Sequence, residues 1–473
     1  MTSTILWHDY ETWGVQAKYD FPVQFAAIRT DLEFNQVGKE INIHCQIPND
    51  YLPHPEACLV TGISPQQSIR DGFLEHEFAS KIHSHMMQSG TCVVGYNSIK
   101  FDDEVTRHLL YRNFYPVYER EYLNGNSRWD IIDLVRAAYA LRPEGIEWPI
   151  YDSGLPCFKL EKLCEANGLA HEHAHDALSD VRASIALAKL IKSKQTKLYD
   201  FYWQLRDKNR VMQTINVQQQ KPFLYISGLI SSEHGCTTWM MPICMHPSNR
   251  NVVLAVDLSK DISVLRNHTA AQLSDNDFIR SLYETRTMPV MQVAINKVPF
   301  VAPAKMLNEE NAERLHINRE KCLAHYHELQ NLSDLAIKCQ SLFSAERDQN
   351  EALDIDAQLY TRDFPGPADK QLMERIRQSA PEALGALYSG IENPLYKRQV
   401  FRYIGRNFPN VMSQNELERW QAHRTERFIN GSDKHYLNLE QFNHKIASLL
   451  DTYGHDKKQV RVLHELARYA SEL

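Results

Sequence analysis

The sequence predicts an α/β domain at the N-terminus, a small β-rich domain after it, and a helical C-terminal domain. Three observations lead there. Strand-like runs at 4–12, 23–30, 41–47 and 91–96 are interspersed with helical patterns up to about residue 190, which is the order of a layered α/β or α+β unit. The pieces FLYIS, NVVLAV and MQVAIN crowd residues 220–300 and are separated by Gly, Pro, Asn and Ser. From 369 onward, stretches such as PEALGALYSGI and HYLNLEQFNHKIASLLDTY read as helix.

In order, TILWHDYET (4–12) and VQFAAIRT (23–30) are strands, and the polar DLEFNQVGKE connects the second to INIHCQI (41–47) as in a hairpin. TCVVGY (91–96) is a short apolar run suited to a buried strand. From Asp103, Val105 and Leu109 recur on one side of a helix, with Leu110 fitting less neatly. From Asp176, Leu178, Val181, Ile185 and Ala188 mark a helical face whose acidic start suits the macrodipole. The basic and aromatic stretch 192–210 opens the second domain, and helices are expected after 305. Residues 346–368, polar and then Pro/Gly-containing, read as a linker. The domain bounds expected are 4–190, 196–348 and 352–473.

At 473 residues the chain suits about three domains of roughly 150 residues. With 43% hydrophobic and 23% charged residues it has the composition of an ordinary globular protein. The net charge of −7 counts against a strongly basic nucleic-acid binder but leaves room for a locally basic groove. Nine widely spaced cysteines without a CxxC argue against a disulfide framework and a structural zinc site, and fit mostly buried thiols in a reducing compartment. The N-terminus lacks the pattern of a signal peptide, and no apolar run approaches the ~18 residues of a membrane span. A cytoplasmic location is expected.

Chemistry first shows at Asp9 and Glu11. Residues two apart on a strand share a face, so these carboxylates stand side by side. They are either a pair awaiting a hard cation or solvated acids on an edge strand. Asp102 follows the strand end Gly95-Tyr96-Asn97 at the start of a helix. It is either a ligand presented at a strand end or a helix cap. His175 and Asp180 bracket the start of the next acidic helix, where His171 and His173 of HEHAH read as solvated. A transition-metal site is the weaker alternative, because carboxylates dominate the set.

Together these residues make Asp-x-Glu, Asp and Asp, with a His five positions before the last, and over 4–190 they resemble the DEDD exonucleases of the His-x4-Asp branch. HDYETWG, QFAAIRTD, GYNSIKFDDEVTRHLLYRNFYPVY, NSRWDIIDLVRAAYALRPEGIEWP, NAERLHINREKCL, DAQLY and GRNFP extend the resemblance to bacterial exonuclease I along the whole chain. The resemblance implies a ribonuclease H-like exonuclease domain with a mixed sheet, an SH3-like β domain, and a helical domain completing a C-shaped groove. It also implies removal of 5′-mononucleotides from the 3′ end of single-stranded DNA in repair and recombination, with polarity coming from the family alone.

On this reading Asp9, Glu11, Asp102 and Asp180 hold two Mg²⁺ ions, for which Mn²⁺ can substitute. Asp102 serves the second ion, through water or directly, and is counted with His175 as catalytic. His175, with a pKa near working pH, takes a proton from the attacking water. Glu11 also accepts from the terminal 3′-hydroxyl. Arg107, Tyr118, Tyr122, Arg136 and Lys159 match family DNA contacts, each with an ordinary structural alternative: Arg107 as a surface helix residue, the tyrosines as half-buried. Lys159 stands where arginine is expected, losing the bidentate fork, and Tyr122 stands where tryptophan is more familiar. Arg398, Arg402 and Arg406, next to Lys397, form an i, i+4, i+8 stripe. That stripe is a solvated face, a cover for DNA, or a site for the acidic C-terminal tail of single-stranded-DNA-binding protein. A monomer is expected. The competing readings are an exoribonuclease, a non-catalytic single-strand scaffold and a proofreading subunit.

Overall fold

The structure is a computed structural model and describes residues 3–171, 176–344, 353–431 and 433–473. By contact the chain parts into two compact units. The first comprises Met1–Ser127, Glu172–Arg182 and Ala352–Leu473, and the second comprises Arg128–His171 and Ala183–Glu351.

The first unit is organised by β1 (Thr4–Thr12) and β2 (Pro22–Thr30), with β3 (Ile41–His44) and β4 (Thr91–Gly95) on either side. β1 pairs antiparallel with β2 and parallel with β4, so the sheet is mixed, as expected. β2 and β3 are antiparallel, as the polar connection between them predicted. Ile5, Leu6, Trp7 and His8 are all buried because β1 is central and covered on both faces. Leu6 and Tyr10 join Phe25, Val93, Val105, Leu109 and the helix Glu75–Met86 in one core. A second core joins Trp13, Phe21 and Leu52 to Phe428, Phe442 and Leu463 of the C-terminal helices.

Two expectations fail here. Residues 353–368 are no bare linker: Ile355 and Ala357 are 0% and 1% exposed, inside the short helix Ile355–Tyr360. Polar composition misled because both acids are tied up in ion pairs, Asp356 buried and Asp354 half-buried. The arginine stripe lies on an unbroken helix, Pro394–Asn407, but it is not available to a partner along its length. Arg406 pairs with Asp50 and Asp356, and Arg402 with Asp354, all inside the unit, leaving Arg398 exposed.

The chain passes from the first unit to the second within β5 (Ser127–Asp130). The second unit holds the five-stranded antiparallel sheet β10-β6-β7-β8-β9, formed by Phe223–Ile226 (β6), Thr237–Met245 (β7), Val252–Asp257 (β8), Val290–Ala294 (β9) and Phe300–Pro303 (β10). The aromatic stretch 192–210 packs inward: Trp129 meets Tyr199 and Tyr202 at 5.2 Å, and Tyr202 donates to the Val298 carbonyl at 2.9 Å. All nine cysteines are free, eight of them buried, as their spacing predicted. Among the described residues no helix is long and apolar enough to cross a membrane.

Candidate active site

The pairing of β1 with β4 ends at Trp7 and Val94, while β1 runs on to Thr12. Asp9 and Glu11 therefore stand beyond the end of the neighbouring strand, on one face, where an α/β sheet presents ligands. The chain leaves β4 at Gly95, turns through Asn97 with φ of 60°, and enters the helix Asp102–Arg112. A Cβ on Gly95 would lie 2.8 Å from the His8 carbonyl oxygen and 2.7 Å from the Ser98 Cβ. The main chain at His8 cannot yield, so Gly95→Ala is expected to push the turn off β1 at a cost of about 1–3 kcal/mol. Thermal melts and kcat measured together check this, with kcat falling as Asp102 shifts.

Asp102 is not a helix cap. Its carboxylate accepts the Tyr10 N–H at 3.1 Å, between the two acids of β1, and Phe101 occupies the capping position without a side-chain bond. Asp180 arrives from the first turn of the helix Ala177–Lys194. One carboxylate oxygen each from Asp9, Glu11 and Asp180 lies within 4.8 Å of the others. The four predicted acids thus converge, three as a cluster and Asp102 beside them. His175 lies outside the described residues.

The acids of the cluster act on one another. Burial, then the charges of Asp102, Glu11, Asp180 and Asp176, push the Asp9 carboxyl well above the usual carboxylate range. Burial, then Asp180, Asp102 and Asp176, push Glu11 up to about 8. Carboxylates drawn together out of water are stable only with a compensating charge. Three clustered oxygen donors fit a hard divalent cation, which takes one or two carboxylates together with substrate phosphate.

Comparison with known proteins agrees. Residues 6–188 match the family model described as Exonuclease, 206–345 the exonuclease I SH3-like domain, and 353–473 the exonuclease I C-terminal domain. The chain is 41% identical to exodeoxyribonuclease I of Escherichia coli (strain K12), over 100% of this chain and 98% of that one. The chain belongs to the exonuclease I family. A crystal structure of E. coli exonuclease I in complex with a dA16 oligonucleotide superposes with a TM-score of 0.94 at 41% identity, covering 100% of both chains. The SSB/exonuclease I structure in complex with inhibitor CFAM gives 0.92 at 41% identity, again over 100% of both. The zinc-bound E. coli ExoI–ssDNA complex gives 0.92 at 41% identity, over 100% of this chain and 99% of that one. The family architecture, a mixed-sheet exonuclease domain, an SH3-like domain and a helical C-terminal domain, is therefore that of this chain.

The other residues expected to matter in this exonuclease I relative fall in two places. In the first unit, Arg107 is no surface helix residue: it is 5% exposed, and its guanidinium is held by Glu104 and by Glu121 at 2.9 Å. The same guanidinium sits 5.4 Å from the ring centre of Tyr118, whose ring packs edge-on to the 82%-exposed Phe364. Tyr122 is 62% exposed rather than half-buried. In the second unit, Arg136 pairs with Asp133 at 2.6 Å and its guanidinium packs on Gly228, while Lys159 is exposed at the start of the helix Leu160–Ala166. Sequence reasoning passed over Gln24 and Asp176, which stand next to the acids. A lone polar residue inside the apolar run VQFAAI was the available signal.

Proposed function

We propose that this chain is a Mg²⁺-dependent 3′→5′ exodeoxyribonuclease that trims single-stranded DNA to 5′-mononucleotides, acting in the cytoplasm as a monomer in repair and recombination. The observation behind it is the convergence of Asp9, Glu11 and Asp180 within 4.8 Å, in a chain whose full-length relatives are exodeoxyribonucleases. Two Mg²⁺ ions, or Mn²⁺ in their place, would activate water, neutralise charge at phosphorus and stabilise the leaving 3′-oxygen.

Asp9, Glu11 and Asp180 are the direct ligands in this reading, and Asp102, fastened to the Tyr10 amide, serves the second ion. His175 is the proposed base, and Glu11 also receives the terminal 3′-hydroxyl. Tyr122 and Phe364 offer exposed rings and Tyr118 a half-buried one for stacking bases, which single-strand binders combine with positive charge. Arg107 supports Tyr118 from beneath, and Lys159 and Arg136 are proposed phosphate contacts. The domain bounds proposed are 4–190, 196–348 and 352–473, close to the matched family models. The acidic tail of single-stranded-DNA-binding protein is the proposed partner, supported by the SSB/exonuclease I structure of the relative.

Digestion of one oligonucleotide, labelled at either end, tests the activity. With Mg²⁺ a 3′-label should leave at once as mononucleotide while a 5′-label passes down a ladder, and EDTA should stop both. Early release of the 5′-label, digestion that persists in EDTA, or a matched RNA cut faster than DNA would each contradict the proposal.

A further inference from the structure

The acids of the site are braced by an uncharged side chain. Gln24 on β2 is the cross-strand partner of Glu11 and is 3% exposed. Directly opposed residues of an antiparallel pair share a face, so its side chain lies beside that of Glu11. Its Nε2 donates to Asp176 Oδ1 at 2.9 Å and to Asn42 Oδ1 at 3.0 Å, which uses both amide hydrogens. Asn42 stands two residues from His44, the partner of Gln24 on β3, so the contact is diagonal along the same face.

Asp176 then fixes the next turn. Its Oδ2 accepts the Ser179 N–H at 3.3 Å, and its main-chain oxygen accepts the Asp180 N–H at 3.0 Å. Asp176 carries the same charge as the acids it stands beside, so without a tether it would be driven away from them. A lysine or arginine at 24 would tether it, but its charge would compete with a cation for the same carboxylates. An amide tethers without neutralising.

We infer that Gln24 is a positioning residue: it holds Asp176, and through it the first turn of the helix Ala177–Lys194, so that the Asp180 carboxylate meets Asp9 and Glu11. The inference rests on the metal reading given above.

Three variants of the full chain test it: Gln24→Leu removes the donor, Gln24→Glu sets two carboxylates against each other, and Gln24→Glu with Asp176→Asn restores a donor–acceptor pair in reverse. Both single variants should raise half-saturating Mg²⁺ and lower kcat by about 10-fold each, with KM for a single-stranded oligomer changed less than about twofold. They should also shrink the Mg²⁺-induced rise in Tm. The double variant should return within about threefold of wild type. A folded Gln24→Leu protein with unchanged Mg²⁺ dependence overturns the inference, as does a double variant no better than Gln24→Glu. If Gln24→Leu does not fold, the comparison of Gln24→Glu with the double variant decides alone. A wild-type Tm that ignores Mg²⁺ would remove the metal reading itself, whereas wild type and variants responding equally would remove only the role of Gln24.

Discussion

Glu11→Gln is expected to stabilise the metal-free protein at pH 8 while reducing turnover at least about 10³-fold, the loss of a few kcal/mol of transition-state stabilisation. The two effects have one cause. The half-buried Glu11 carboxyl is pushed up to about 8 in the fold from an ordinary 4.5, first by desolvation and then by the charges of Asp180, Asp102 and Asp176. Between those values the folded protein holds a proton that the unfolded chain releases. Its contribution to stability is full below about pH 4.5 and is lost as pH rises through about 8. Glutamine removes that loss, so the variant should melt above wild type at pH 8 and close to it at pH 5. A gain of about 1 kcal/mol is worth roughly 2–4 °C in a domain of this kind. Saturating Mg²⁺ should reverse the order, since a ligand stabilises only the protein that binds it. Melting curves with and without metal at the two pH values check the prediction, and a Glu11→Gln protein that melts below wild type at pH 8 without metal contradicts it.

Asp50→Ala is expected to cost about 3–5 kcal/mol, because it leaves buried guanidinium groups without their partner. Asp50 is 0% exposed. Arg406 grips it at 2.8 and 2.9 Å, His423 Nε2 lies 3.0 Å away, and Arg427 and Arg402 stand at 3.5 and 3.6 Å. Asp354 and Asp356, at and within the start of the short helix Ile355–Tyr360, complete the network. It joins the loop after β3 to the helices Pro394–Asn407 and Gln414–Thr425 within one unit. Burial alone would raise the Asp50 carboxyl, but Arg406, Arg427 and the His423 bond hold it well below the usual range. Its contribution is therefore present above the ordinary carboxylate pKa and is lost as pH falls through the lower folded value. Urea denaturation and limited proteolysis should show the residues after 353 loosening in Asp50→Ala at neutral pH. A change under about 1 kcal/mol would mean the network adds little over solvated charges.

The acids were legible because their placement is local. A period of two puts Asp9 with Glu11, and a helix start after a strand end brings in Asp102. The arginine stripe was legible as a helix but not as buried, since Asp50 lies 356 residues from Arg406 in the chain. Helix Ile131–Leu141 went unread although its period is present: Asp133, Arg136 and Tyr139, three apart, are its less buried positions and every other residue is buried. Strand β7 escaped because Pro242 reads as a breaker. In the fold the pairing with β8 shifts register between Pro242 and Cys244, an irregularity that tolerates the missing N–H. Gln24 carries no charge, and its place in QFAAIRTD assigns it no role, so only its contact with Asp176, 152 residues away, gives it meaning.

Anomalous diffraction from crystals soaked in Mn²⁺ with a short single strand tests the metal site most directly. A peak between the carboxylates of Asp9, Glu11 and Asp180, with a phosphate against it, is the predicted result. Manganese bound elsewhere, or none in crystals whose acids remain clustered, would contradict the account.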